Sequence, residues 1–121
     1  MASIFEATAG KLLGPTTGGS VTQTTTKATG VTLNAASGQI TMDNSSLAAG
    51  AEVSFTVTNS EISATDVVIV NHSSAGTAGG YLVQANSIAD GSFAITVANV
   101  STGSKNEAIV LSFVALKGAS S

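Results

Sequence analysis

Residues 53–58 read Val-Ser-Phe-Thr-Val-Thr, and this stretch decides the fold class. The apolar side chains Val53, Phe55 and Val57 alternate with three hydroxyl side chains. Because successive side chains of a β-strand point to opposite faces, a period of two predicts a strand with one buried and one solvated face. Residues 93–97, Phe-Ala-Ile-Thr-Val, repeat the alternation with Ala in place of one hydroxyl residue. Both stretches therefore predict half-buried strands.

Six further runs predict strands, because each is rich in β-branched or apolar residues and is bounded by Gly, Ser, Asn or Asp. The first three of these runs are predicted to be edge strands. The run at 66–71 holds four consecutive apolar residues, which predicts a central strand covered on both faces, at an oligomer contact or under a loop. Together the eight runs predict an all-β fold, an antiparallel β-sandwich of about seven to eight short strands with jelly-roll or Ig-like connectivity. The six runs are residues 21–26, 31–33, 40–42, 66–71, 81–85 and 109–114.

The 121 residues fit one domain preceded by an arm, because cores split into separate domains only beyond roughly 250 residues. We assign residues 1–19 to an N-terminal arm and residues 20–121 to the β-sandwich domain. The alternatives for the arm are a frayed terminus and a short amphipathic helix over residues 2–13. If the arm is functional, its large apolar residues are the candidate contacts with a capsid or with another copy: Ile4, Phe5, Leu12 and Leu13.

The composition points away from an enzyme. The chain has 17 Ser and 16 Thr but only 11 charged residues, one His, no Cys and no Trp. A net charge of -3, with four Lys and no Arg, excludes a phosphate-binding surface of clustered cations, so no nucleic-acid partner is predicted. No secretory signal or apolar run of membrane-spanning length is present, and the expected product is soluble, has no membrane partner and is made in a host cytoplasm. The sequons at Asn44, Asn71 and Asn99 would matter only in a secretory pathway.

The motifs that carry chemistry are weak. His72 is the only imidazole, so one chain cannot supply a multi-His metal site, and a Ser-His-Asp triad with Asp66 or Asp90 lacks a nucleophile in G-x-S-x-G context. Residues 14–20 have phosphate-loop spacing but a Ser where the Lys should stand. Residues 43–45 begin like a calcium loop but lack its Gly and terminal Glu. The sequence predicts no catalytic residue, no cofactor and no metal site.

Segments across residues 20–117 also carry a family resemblance. They are residues 30–42 (Gly-Val-Thr-Leu-Asn-Ala-Ala-Ser-Gly-Gln-Ile-Thr-Met), 47–50 (Leu-Ala-Ala-Gly), 53–59 (Val-Ser-Phe-Thr-Val-Thr-Asn), 66–71 (Asp-Val-Val-Ile-Val-Asn), 80–84 (Gly-Tyr-Leu-Val-Gln) and 107–113 (Glu-Ala-Ile-Val-Leu-Ser-Phe). Together they resemble small structural proteins of tailed bacteriophages and prophages, most of all a capsid decoration (cement) protein. The resemblance does not cover residues 1–19 and transfers no active-site residue.

The resemblance implies a non-enzymatic virion protein. Such a protein binds the outer surface of a phage capsid and bridges or stabilises neighbouring capsid subunits. The implied partners are the major capsid protein and further copies of the chain, as a trimer, and the implied location is the capsid surface of the virion. A rigid, soluble domain of low charge suits this role, because many identical weak contacts add through avidity. The turn at residues 73–80 is expected to face outward.

Two other functions remain open at this point. A tail or fibre-associated adhesin domain that binds host-surface glycan would show a shallow site with an exposed Tyr81 and carboxylates near it. A small hydrolase acting on the cell envelope would need His72 as its base or two converging carboxylates such as Asp66 and Asp90. The structure bears on the geometry that each alternative requires.

Overall fold

The computed structural model describes residues 18–118, and within that range the chain forms eight β-strands and no helix. The all-β prediction is confirmed for this part of the chain. The strands in chain order are β1 Gly19–Thr22, β2 Val31–Thr32, β3 Ser37–Thr41, β4 Glu52–Thr58, β5 Val67–Ser74, β6 Tyr81–Ala89, β7 Ser92–Asn99 and β8 Val110–Leu116.

The eight strands form two mixed four-stranded sheets. The first has the order β1-β3-β8-β5 and the second the order β2-β4-β7-β6. Within residues 18–118, β1 runs parallel to β3 and β2 runs parallel to β4, whereas the other four pairs are antiparallel. The prediction of an antiparallel arrangement is therefore wrong for two pairs. The cause is the connectivity, because β1 to β4 alternate between the two sheets. β3 therefore returns to the first sheet beside β1, and β4 returns to the second sheet beside β2, each in the same direction as its neighbour.

The positions of the strands within the sheets correct two further predictions. β1 and β2 are edge strands, as predicted, but β3 lies between β1 and β8. β5 is an edge strand and not a central one, because it pairs with β8 alone. Its unbroken apolar run serves two faces: Val68 and Val70 point toward the core, while Val67 and Ile69 are 55% and 50% exposed.

A single hydrophobic core joins both sheets. The burial of β7 alternates along its whole length, so every second side chain from Phe93 onward is buried. Phe93 of the second sheet packs against Phe113 of the first, with ring centroids 5.4 Å apart. Truncating a buried Phe to Ala costs about 3–5 kcal/mol in comparable cores. The largest fully buried apolar side chains are Phe93, Ile40, Met42, Ile95, Ile109, Leu111, Val57 and Val97.

Two buried asparagines hold the strand ends. Asn59 follows β4 and Asn99 ends β7, and both are 0% exposed. The Asn59 amide donates to the carbonyl of Ala35 at 2.7 Å, and its Oδ1 accepts from the backbone N–H groups of Ala35 and Glu61 at 3.1 and 3.0 Å. Asn99 likewise donates to the carbonyl of Leu47 at 2.8 Å. Each side chain satisfies backbone groups that a turn leaves without ladder partners.

A buried lysine and glutamine organise the loop after β1. Gln23 donates to the carbonyls of Lys27 and Thr29, at 2.8 and 3.0 Å, and accepts from the backbone N–H of Asp43 at 2.9 Å. The Lys27 ammonium donates to the carbonyl of Asp43 and to that of Glu107, the latter at 2.8 Å. Burial lowers the pKa of Lys27, and the carboxylates of Asp43 and Glu107 oppose that shift. This lysine is a structural element and not part of a cationic surface.

An ion pair ties the end of β8 to the start of β5. Lys117 Nζ lies 2.7 Å from Asp66 Oδ2, whose carboxylate also accepts from the backbone N–H groups of Ser63 and Gly118. Burial alone would raise the pKa of Asp66, but the hydrogen bonds from Lys117, Ser63 and Gly118 outweigh it and hold the pKa below its usual value. Asp66 is therefore a charged structural residue in the folded chain.

Candidate binding surfaces

The first candidate surface is an apolar patch on the outer side of the first sheet. Val67 on β5 pairs with Leu116 on β8, and Ile69 pairs with Val114. Because directly opposed residues share a sheet face, all four side chains lie on the side away from the core. The residues between them, Val68, Val70, Phe113 and Ala115, belong to or pack against the core. We call Val67, Ile69, Val114 and Leu116 the apolar face.

The surroundings of the apolar face are polar along the strands, and the Asp66–Lys117 ion pair stands at one end, where Asp66 precedes Val67 and Lys117 follows Leu116. Asn71 on β5 pairs with Ser112 on β8, and Ser112 in turn pairs with Gln39 on β3. Ser37 of β3 lies opposite Val114. Burying the four apolar side chains against a partner removes little polar surface, so the desolvation cost is low provided that the Asp66–Lys117 pair stays at the rim of the contact. A small apolar centre with a polar rim is the usual anatomy of a protein–protein contact.

The outer side of the second sheet has a different character. Ser54 and Thr96 share a hydrogen bond of 2.7 Å across β4 and β7, and the Asn86 amide donates to Thr96 at 2.9 Å. Leu82 and Val100 are exposed at one end, at 66% and 50%. Most side chains along the three long strands of this face are hydroxyl or amide groups or Ala. It offers less apolar surface for docking than the first sheet does.

The second candidate surface is a shallow pocket of about 250 Å³ where β5 turns into β6. The His72 ring meets the Tyr81 ring edge to face, with centroids 5.6 Å apart. His72 Nε2 lies 3.1 and 2.5 Å from the carbonyl oxygens of Ser74 and Ala75. Because a carbonyl oxygen can only accept, these contacts require the hydrogen on Nε2, which leaves Nδ1 as the acceptor nitrogen of the neutral ring. The φ angle of +63° at Ala75 holds the loop in this tight turn.

The carboxylate at this pocket is fully engaged within the chain. Glu107 Oε1 accepts from the Tyr81 hydroxyl at 2.8 Å and from the Thr77 N–H at 2.9 Å, while Oε2 accepts from the Thr77 hydroxyl at 2.9 Å. These bonds, that of Tyr81 first, lower the pKa of Glu107. Burial, reinforced by Glu107, raises the pKa of Tyr81. Tyr81 is only 7% exposed, so the exposed tyrosine expected of a glycan site is not found.

Among the other sequence-derived candidates, the carboxylates of Asp66 and Asp90 lie close together, because they accept from the adjacent backbone N–H groups of Ser63 and Ala64. Each is engaged by the backbone of this turn, and His72 lies away from it. Asp66 precedes β5 and lies six residues from His72, a distance of about 20 Å along an extended strand. Asp90 accepts from the backbone N–H of Ala64 at 2.8 Å, and Asp43 accepts from that of Ser45 at 2.9 Å. Residues 18–118 contain no group of three His, Cys, Asp or Glu side chains placed to hold a metal ion.

The predicted contact residues and the sequons complete the set of sequence-derived candidates. The proposed contact residues lie outside the described residues: Ile4, Phe5, Leu12 and Leu13. Asn99, which begins a sequon, is 0% exposed, and its amide donates to the carbonyls of Leu47 and Gly103. In the folded chain it therefore cannot accept a glycan. The apolar face itself was only half visible in the sequence. The sequence shows the apolar run 67–70, but the pairing of this run with Val114 and Leu116 depends on a register that no local pattern specifies.

Comparison with known proteins gives no relative. No family model, no curated protein and no solved structure matches the chain. Among residues 18–118 there is also no helix long and apolar enough to cross a membrane.

Proposed function

We propose that the chain is a non-enzymatic structural protein that docks on a larger protein assembly, specifically a decoration protein on the outer surface of a phage capsid. Its partner in this proposal is the major capsid protein, whose neighbouring subunits it bridges and stabilises. The proposed fold is a β-sandwich related to the jelly-roll or Ig-like type, and the proposed assembly is a trimer. The sequence resemblance given above motivates the specific assignment to a virion.

The observation that carries the proposal is the apolar face. Val67 and Ile69 are each about half exposed and lie on one strand, next to Val114 and Leu116 of its neighbour, whereas the other exposed large apolar residues within 18–118, Leu82 and Val100, lie at one end of the second sheet. An exposed pair of this kind on an edge strand favours association, and natural proteins protect such edges unless they are used. The four side chains carry no charge, and the Asp66–Lys117 ion pair stands at one end of the patch, so a contact here would have an apolar centre with a charged pair at its rim.

The energetics of the contact fit a decoration protein. Complete burial of a Val or Ile side chain contributes about 1.5–3 kcal/mol, so covering the exposed half of Val67 and Ile69 adds about 1 kcal/mol each. Such a contact is weak for one copy. In a trimer that engages several capsid subunits at once, the first contact raises the effective concentration for the others, so the overall affinity exceeds that of a single contact. We include Ile4, Phe5, Leu12 and Leu13 in the proposal as further contacts with the capsid or with a neighbouring copy.

Binding to heads that lack the protein tests the proposal. The double variant Ile69→Ser/Val114→Ser is compared with Ser54→Ala/Thr56→Ala, which changes the outer side of the second sheet. We expect the first variant to weaken binding by at least about tenfold, from the burial energy above, and the second to bind as the original chain does. Equal binding by both variants would refute the docking role of the apolar face. Circular dichroism establishes that each variant is folded.

The adhesin alternative is separated by a glycan array. Its candidate site is the pocket beside Tyr81, where every carboxylate oxygen of Glu107 already has a partner within the chain. Selective glycan binding that His72→Ala abolishes would replace the capsid proposal with the adhesin function. We expect no glycan to be retained.

A further inference from the structure

We infer that the free edge of β5 pairs with β5 of a second copy of this chain, in the antiparallel direction and with Ile69 opposite Ile69 across a two-fold axis. The first sheets of the two copies then form one continuous sheet. This inference goes beyond the proposed function, because it concerns a contact between copies that forms without a capsid.

β5 is an edge strand without the features that usually protect such an edge. It pairs with β8 alone, so the N–H and C=O groups of every second residue point away from the sheet. Residues 67–74 contain no Lys, Arg, Asp, Glu or Pro, and the pairing with β8 is regular as far as His72. Natural proteins blunt an exposed edge with charges, Pro, bulges or a short strand, so an edge of this kind favours pairing with a further strand.

The other edge strands are less suited to pairing with a copy of themselves. β1 and β2 hold only four and two residues. β6 pairs regularly from Tyr81 to Asn86, but its outward side chains change from Leu82 to the amides of Gln84 and Asn86. An antiparallel copy centred on Val83 or Gln84 would therefore set Leu82 opposite an amide.

The side chains of β5 favour an axis at Ile69. Directly opposed residues of an antiparallel pair share a sheet face, so the two-fold axis passes through a residue and not between two residues. With the axis at Ile69, this side chain meets its own copy on the outer side, and Val68 meets Val70 on the core side. Val67 and Asn71 lie opposite each other at both ends of the paired segment, which contains no charged side chain.

An axis at Val70 gives a poorer match. It sets Ile69 opposite Asn71 on the outer side and Val68 opposite His72 on the core side. Apolar side chains would then meet polar ones on both sides of the sheet, which forfeits the contribution of apolar cross-strand pairs.

An axis at Val68 gives too short an overlap. Only residues 67–69 of each copy would pair, because β5 does not extend before its first residue, and Asp66 would lie opposite an apolar side chain. In the Ile69 register, by contrast, Asp66 of one copy and His72 of the other face each other just outside the paired segment. The ionisable groups therefore stay at the ends of the contact.

This pairing enlarges the apolar face. Strand addition uses backbone groups in the plane of the sheet, so the outer side chains stay uncovered. Val114 lies opposite Ile69 within each chain, so these two residues and their copies form one apolar row across four strands. The combined sheet offers twice as many apolar side chains for docking as one chain does. Because the contact is two-fold, it would join chains of neighbouring trimers and not chains within one.

Disulfide trapping in the free protein tests the inference. The chain has no Cys, so the variants Val67→Cys and Asn71→Cys each carry a single thiol. In the Ile69 register these positions are directly opposed, with Cα atoms about 4.5–5.5 Å apart, a distance that a disulfide spans. Each thiol lies about 13 Å along the strand from its own copy. Oxidation of a mixture of the two variants should give the mixed disulfide in at least about tenfold excess over either homodisulfide, as measured by mass spectrometry.

Two added substitutions serve as controls. Ile69→Lys in both chains places two ammonium groups opposite each other and should reduce the mixed disulfide to the level of the homodisulfides. Thr56→Lys, on the outer side of the second sheet, should leave the mixed disulfide unchanged. Circular dichroism establishes that each variant is folded. Homodisulfides that form as readily as the mixed disulfide, or a mixed disulfide that Ile69→Lys does not reduce, would overturn the inference. No capsid is present, so a failure here is distinct from a failure of the head-binding experiment.

Discussion

Replacing Asn59 with Ala should destabilise the fold far more than its single position suggests. The side chain is 0% exposed and makes three hydrogen bonds, to both backbone groups of Ala35 and to the N–H of Glu61. Ala35 is itself 2% exposed, so its carbonyl would lose its side-chain partner in a place that water reaches poorly. The site joins the end of β4 to the loop after β2, and both segments would lose their anchor.

The magnitude follows from the bonds. Each of the three hydrogen bonds contributes about 1 kcal/mol net, and an orphaned buried carbonyl adds a penalty of about 1–3 kcal/mol, so the expected loss is about 4–6 kcal/mol. For a domain of this size, 1 kcal/mol lowers Tm by about 4–8 °C. Urea unfolding followed by circular dichroism measures the loss, with Asn44→Ala as the control because Asn44 is exposed. A loss below 1 kcal/mol for Asn59→Ala would refute the assignment of this side chain as an anchor.

Three further predictions address charge and packing. Because the folded pKa of Asp66 is lowered, the unfolded state binds more protons in acid. The stability that Asp66 contributes is present above the unfolded-state pKa and is lost as pH falls through the folded pKa; urea midpoints across pH measure this. Tyr81→Phe should raise the pKa of Glu107, as read by carboxyl ¹³C chemical shifts. Gly38→Ala should lower Tm, because its Cβ would lie 2.8 Å from the Gly19 carbonyl, whereas Gly103→Ala should leave Tm unchanged.

The sequence predicted the strands well because their patterns are local. The alternation at 53–58 corresponds to β4, and that at 93–97 lies within β7. Both patterns arise because each strand has one buried face and one solvent-exposed face. This holds for a strand whichever strands it pairs with. The existence of eight strands needed no knowledge of pairing, and neither did the turn at Asp90 and Gly91, where Gly91 has a φ of +85°.

Strand order and register could not be read in the same way. Residues 66–71 look like a central strand because four apolar residues follow one another, yet β5 is an edge. A run that is apolar on both faces has the same sequence whether the outer face meets another strand layer, another molecule or solvent. The parallel pairs also escaped prediction, because they depend on strands alternating between sheets and not on any residue type.

The candidate sites were predicted only in part. The engagement of Glu107 by Tyr81 and Thr77 joins residues 26 and 30 positions apart, and no motif encodes that meeting. The burial of Asn59 and Asn99 had a weak signal, an Asn at the end of an alternating run and before a turn. For the apolar face, Val67 and Ile69 could be identified from the apolar run in the sequence. Val114 and Leu116 could be identified only from the register of β5 and β8.

The most direct test of the central claim is a reconstruction of the mature particle at side-chain resolution. The claim is that the chain acts by docking an uncharged sheet face on a larger assembly. We expect density for the chain on the outer surface of the capsid, with Val67 and Ile69 buried against a neighbouring protein. Particles that lack this density, or that hold the chain with Val67 and Ile69 facing solvent, would contradict the claim.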